Sequence, residues 1–379
     1  MTPRERFISA LTFGTPDKFP LWPGWPREST RARWVSEGMP QAAADKDAVG
    51  YVIKDILGLP YDEIPNTTGF FVNMRMDPAF EEKVLEHRGN TYIVQDWMGA
   101  VVQISDKYDI TYLQHAKDFV TRKWFSFPVK NREDWEKLKF RYDPMDEMRL
   151  PKNIEEVGKR TFEYDGVISF GLNGPFWQLR EWMGMENLCM AFIDMPDLVH
   201  EMIDFWCDFV LKLLDRFLPY CRITWVHFNE DMAYKQHAMI SPKMAREFLL
   251  PTYKKWVDKL KKYNIPVLDM DSDGFVEELV PVWLDAGMNV IEPMEVAAGN
   301  DIVHFRQRFG KNLGYMGGID KRAIAAGGDV MRKEVMRVVP PLLKDGGFIP
   351  ICDHGVPSDI SLKAFTDYTD LLAKLIGWK

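Results

Sequence analysis

From about residue 166 the chain alternates short apolar runs with longer stretches of helical spacing, and this alternation limits the fold more than any other feature. Strands are expected at 166–171, 223–228, 265–270, 288–292, 313–317 and 347–351. Helices are expected at 185–194, 196–219, 242–262, 275–286, 298–309 and 330–343, with a last one from about 358 to 376. Within 196–219 the apolar residues recur at 199, 202, 203, 206, 209, 210, 213, 214 and 217, the spacing of a single helix face. Strands linked through helices by short connections form a parallel sheet. Six such strands, added to earlier ones, predict an α/β fold: a closed (β/α)8 TIM barrel that takes residues 1–379 as one domain.

Two additions to that barrel are expected. An N-terminal extension carries amphipathic helices at 3–12 and 28–38, joined by Phe19-Pro20-Leu21-Trp22-Pro23-Gly24-Trp25-Pro26-Arg27. The start of this joint suits a short first strand, and its prolines force an irregular loop at the end. Between about 91 and 127, the runs Tyr92–Asp96, Val101–Ile104 and Thr121–Phe125 alternate polar and apolar residues, which predicts a small antiparallel β insertion.

Composition excludes several functions. The net charge is −8 and no basic run occurs, so nucleic acid is not an expected partner. No apolar stretch reaches the roughly 20 residues that span a bilayer. The start, Met1-Thr2-Pro3-Arg4-Glu5-Arg6, leads into an amphipathic helix and not a secretion signal. Cysteines at 189, 207, 221 and 352 lack CxxC spacing, as suits a reducing cytoplasm. No glycine-rich phosphate loop occupies a strand-to-helix turn, which disfavours nucleotide cofactors. The 13 Trp, 24 Phe and 21 Met provide flat, polarisable surface for an aromatic ligand as well as a core.

Reactive groups of such barrels sit at the C-terminal ends of the strands. Reading those positions in turn gives Asn173, Gly174 and Trp177; then His227, Asn229, Glu230 and Asp231; then Asp271 and Asp273; then Glu292 and Glu295; then Gly317, Gly318 and Asp320; and last Cys352, Asp353 and His354. Glu230, Asp231 and His354 are the candidate catalytic groups. Trp22, Trp25, Asn173, Trp177 and His227 are the candidate substrate contacts. Asp269, Asp271 and Asp273 alternate and would share one face of an extended strand. If Asp271, Asp273, Glu295 and Cys352 converge, their combined negative charge requires a cation or shared protons. Thiolate with carboxylates suits Zn²⁺, and the oxygen-rich set leaves Mg²⁺ or Ca²⁺ open.

These residues, taken in order, resemble the uroporphyrinogen decarboxylase superfamily of (β/α)8 barrels. The resemblance is carried by Met1–Phe7, Gly174-Pro175-Phe176-Trp177-Gln178-Leu179-Arg180, Asn229-Glu230-Asp231-Met232-Ala233-Tyr234, Ile240-Ser241-Pro242, Asp271-Ser272-Asp273-Gly274, Pro293-Met294-Glu295, Gly317-Gly318-Ile319-Asp320 and Cys352-Asp353-His354-Gly355-Val356-Pro357. True decarboxylases of the superfamily carry Arg-Gln-Ala-Gly-Arg after the first strand. Here that place reads Trp22-Pro23-Gly24-Trp25-Pro26-Arg27, so their propionate-binding arginines are largely missing. The methyltransferase branch binds zinc through His-x-Cys, a later Glu and a late Cys. The matching positions are Asp271, Asp273, Glu295 and Cys352, with two ligand types changed. The resemblance implies a methyltransferase that moves a methyl group from a small methylated donor to the cobalt(I) of a separate corrinoid protein. The tryptophan-rich loop points to a methoxylated aromatic donor and O-demethylation. The alternative is decarboxylation of a tetrapyrrole or another acidic substrate. A homodimer is compatible with the sequence.

Overall fold

The computed structural model describes residues 1–60, 68–110 and 120–379. A parallel sheet forms its centre. It comprises β1 (Thr68–Gly69), then, after the insertion strands, β6 (Ile168–Asn173), β7 (Trp225–Asn229), β8 (Val267–Asp271), β9 (Val290–Glu292), β10 (Gly314–Ile319) and β11 (Phe348–Cys352), paired in that order. The proline-rich joint supplies one more stave beside β11. Cys352 N–H donates to Pro23 O at 3.2 Å, Val356 N–H to Trp25 O at 2.8 Å, and Pro26 bridges Val356 in parallel. Prolines are tolerated there because the stave borrows its hydrogen bonds at few points. Eight staves with helices outside make this a TIM barrel.

Strand parity sorts the core into two layers. Val167, Trp225, Val267, Val290, Met316, Ile349 and Ile351 point into the lumen. Their neighbours Ile168, Val226, Leu268, Ile291, Tyr315 and Phe348 point out to the helices. The first helix, Pro3–Leu11, plugs one end of the lumen with Phe7, Ala10 and Leu11. Thr2 and Glu5 form a reciprocal capping box that starts this helix, as Ser/Thr-x-x-Glu spacing favours. The long helix Pro196–Phe217 buries Val199, Met202, Ile203, Trp206, Phe209, Val210, Leu213 and Leu214 against the barrel, as its periodicity predicts. Each such burial contributes about 1.5–3 kcal/mol.

The expected strands start one or two residues early, because backbone pairing begins only where neighbouring staves face each other, after the apolar run has already started. The insertion is larger than the alternation indicates. It is a four-stranded antiparallel sheet of β2 (Lys83–Arg88), β3 (Thr91–Gln95), β4 (Val101–Ser105) and β5 (Lys123–Ser126). Strand β2 is exposed along its whole length, so no face alternates and there is no period to read.

Candidate active site

The parity that builds the lumen also selects its polar groups. In register, Gly171 faces His227 and His227 faces Asp269; one step toward the mouth, Asn173, Asn229, Asp271 and Glu292 form the next row. Each lies an even number of residues from a lumen-facing core residue on its own strand. Four of them meet. His227 Nδ1 is 3.2 Å from Asp269 Oδ2 and 2.9 Å from Glu292 Oε1, and His227 Nε2 is 3.3 Å from Asp271 Oδ2. Trp225 Nε1–H donates to the other oxygen of Asp269 at 2.6 Å. Asp269 is fully buried and Glu292 is 7% exposed, while the His227 side chain is 28% exposed toward the mouth. Burial works against a charged imidazole, but the carboxylates outweigh it and hold the His227 pKa well above its usual value. Burial raises the Glu292 and Asp271 pKa values; Asp269 adds to the rise at Glu292, and His227 opposes both.

Above this cluster lies a cavity of about 460 Å³. Its walls include Met74, Trp97, Tyr142 and Trp177, and its polar groups are Arg75, Asn173, Gln178, Glu181, His227, Asn229 and Asp271. The volume falls in the range of small-ligand sites. Trp177 is held on both sides. Its Nε1–H donates to Glu181 Oε1 at 2.9 Å, and the Arg180 guanidinium lies 3.9 Å above its ring. Burial raises the Glu181 pKa, against hydrogen bonds from Trp177 and Gln178.

A second cavity, of about 380 Å³, opens beside the loop after β11. Arg27, Asp273, Glu295, Lys321 and His354 line it. Lys321 Nζ is 2.9 Å from Glu295 Oε1, and His354 Nε2 is 3.4 Å from Asp273 Oδ1. His354 Nδ1 accepts from Gly355 N–H and from Arg27 Nη2, both at 2.7 Å, so its hydrogen resides on Nε2 and points at Asp273. Burial favours a raised Asp273 pKa, but His354, Lys321 and Arg27 together lower it.

Several sequence expectations are corrected by these positions. Asp271, Asp273, Glu295 and Cys352 do not gather around one point. Cys352 is the last residue of β11, and because Ile351 faces the lumen, Cys352 faces the helix layer, where burial raises its thiol pKa. Glu295 is committed to Lys321 and Asp273 to His354. This set therefore does not fit a shared metal ion. Glu230 also faces out of the lumen. Its carboxylate accepts from Phe176 N–H at 3.3 Å, Trp177 N–H at 2.7 Å and the Tyr253 hydroxyl, and so caps the helix Pro175–Met183. Burial pushes its pKa up to about 7. Asp231 accepts from Asp273 N–H at 3.0 Å and lies 3.6 Å from Arg180; burial and repulsion from Asp273 and Asp271 raise its pKa to about 6. Trp22 packs edge-on against Trp225, and Trp25 is 43% exposed; neither lines the cavity. Asn173, Trp177 and His227 do line it.

Arg75, Tyr142, Gln178 and Glu181 line the cavity without being expected site residues. Glu181 had a signal, since it lies one helical turn beyond Trp177 and so shares its face. Arg75 comes from an irregular segment with no period to reveal it.

Fold and site define a TIM-barrel protein whose ionisable groups gather in the lumen and at the mouth. The model of the uroporphyrinogen decarboxylase (URO-D) family matches residues 124–375, and the chain belongs to that family. It is similar in structure to a methyltransferase from Methanosarcina mazei, at 14% identity and a TM-score of 0.56, with 99% of each chain covered. That likeness speaks for the fold. A B12-independent methionine synthase from Shewanella sp. W3-18-1 is more distant, at 11% identity and a TM-score of 0.35, covering 59% of this chain and 66% of its own. No curated protein matches the chain in sequence. Among the described residues, no helix is long and apolar enough to cross a membrane.

Proposed function

We propose that this protein is a methyltransferase that takes a methyl group from a small methoxylated aromatic compound and delivers it to the cobalt(I) of a separate corrinoid protein. The observation that carries the reading is the lumen cavity, with Trp97, Tyr142 and Trp177 in its wall and His227 with Asp271 at its polar end. An aromatic ring packs well against such walls, and a few convergent polar groups fix its orientation. The corrinoid supplies the nucleophile for the methyl carbon. This chain's task is to hold the ring and to meet the charge that grows on the departing aryl oxygen. Glu181 is the proton donor in this reading, because it lies in the wall beside Trp177 and burial favours its neutral carboxyl form.

Decarboxylation of a tetrapyrrole is disfavoured by the scarcity of guanidinium and ammonium groups. Among the described residues that line the cavity, Arg75 is the one lysine or arginine, too few to pair with a ligand that carries many carboxylates. The test combines the protein, a reduced corrinoid protein and a series of methoxybenzoates, and follows the cobalt absorption spectrum. Conversion to the methylated spectrum with release of the phenol supports the reading. Carbon dioxide release from an acidic substrate without cobalt methylation would overturn it.

A further inference from the structure

The geometry points to a divalent metal site at His227, Asp269 and Glu292, deep in the lumen, a ligand set other than the Asp271, Asp273, Glu295 and Cys352 that the superfamily resemblance implies. The three ligand atoms all lie within 4.8 Å of one another. The Nδ1–Oε1 and Nδ1–Oδ2 separations of 2.9 and 3.2 Å are close to those of ligands sharing one ion at metal–ligand distances of about 2.0–2.2 Å.

Two further features are those of a built site. The distal nitrogen of His227 lies 3.3 Å from Asp271, placed to donate its N–H there, while Nδ1 faces Asp269 and Glu292, where its lone pair would meet an ion. Metal-binding histidines characteristically donate their second N–H to a carboxylate in this way. The free oxygen of Asp269 is likewise selected, because the Trp225 indole N–H occupies the other. The make-up of the cluster suits a cation as well. Asp269, Asp271 and Glu292 cluster around a single imidazole, and no lysine or arginine among the described residues forms an ion pair with any of them. One nitrogen and two oxygens suit Zn²⁺ and other first-row divalent ions. His227 also lines the ligand cavity, so an open coordination position would face it.

The test is read without methyl donor or corrinoid protein, so it stands apart from the proposed function. Protein stripped with a chelator and dialysed is titrated with Co²⁺, followed by visible absorption, and with Zn²⁺, followed by calorimetry. One equivalent of Co²⁺ should bind with nitrogen and oxygen coordination, and Zn²⁺ should displace it. His227→Ala, Glu292→Gln and the isosteric Asp269→Asn should each weaken binding at least roughly 100-fold, and Asp271→Asn about 10- to 100-fold. Cys352→Ala should bind as the wild type does. Circular dichroism separates lost ligands from a lost fold. Folded wild-type protein that takes up neither ion would overturn the proposal, as would binding that survives His227→Ala and is lost in Cys352→Ala.

Discussion

The imidazole of His227 and the carboxylate of Glu292 meet across the barrel lumen at 2.9 Å. They come from β7 and β9, with β8 between them, and both side chains point inward because each lies two residues beyond an inward-facing core residue, Trp225 and Val290. The same parity places Asp269 and Asp271 beside them and turns Cys352 away. The arrangement leaves a polar floor beneath an aromatic wall.

Trp177→Leu tests the wall. The substitution removes the ring that Glu181 and Arg180 hold in place. Aromatic contact contributes roughly 1 kcal/mol beyond the buried area, so affinity for a methoxybenzoate should fall about tenfold or more. Calorimetric titration of wild type and variant measures this.

Glu181→Gln tests the proton donor. Methyl transfer should slow by at least roughly 100-fold with little change in KM, as removal of a general acid does. The wild-type rate should fall as pH rises through the raised Glu181 pKa, because the donor form is lost. The variant should lose that limb of the pH–rate profile.

Gly174→Ala tests the seat of Glu230. A Cβ at residue 174 would lie 2.1 Å from the Glu230 carboxyl carbon, so the capping carboxylate could not stay against the helix N-terminus. Overpacking and loss of the cap together should cost about 2–4 kcal/mol. Urea denaturation of both proteins reads the difference.

Asp231→Asn tests the acidic rim. The Asp231 carboxyl titrates at about 6 in the fold, against about 3.9 in an unfolded chain. Between those values the folded state keeps a proton that the unfolded state has released, so stability falls as pH rises through the window and remains lower above it. The full effect is roughly 3 kcal/mol. Thermal melts from pH 4 to pH 7 should show that decline, and a shallower one in Asp231→Asn.

The alternation of strands and helices was legible because buried staves are short and apolar while their covering helices repeat on one face. Helices 185–194 and 196–217 illustrate this, the first expected over the range it occupies and the second closing two residues early. Asp269, Asp271 and Glu292 stood out as acids at the ends of apolar runs. Their meeting with His227 was not readable, because it depends on which parity each stave presents to the lumen. The misassigned Cys352 shows the same limit: a one-residue difference along β11 exchanges lumen for helix layer. Glu230 resembled an active-site acid by position, yet its carboxylate satisfies a helix N-terminus, a role set by the close approach of Gly174. Trp25 and Trp22 marked an aromatic loop correctly but not the wall, since Trp97 and Tyr142 reach the cavity from outside the strand–helix repeat.

The most direct test measures the initial rate of cobalt methylation from a methoxybenzoate by wild type, Glu181→Gln and Cys352→Ala under identical conditions. If the lumen cavity performs the reaction, Glu181→Gln falls at least roughly 100-fold while Cys352→Ala stays within about twofold of wild type. A wild-type rate from Glu181→Gln, or its collapse in a folded Cys352→Ala, would contradict the account.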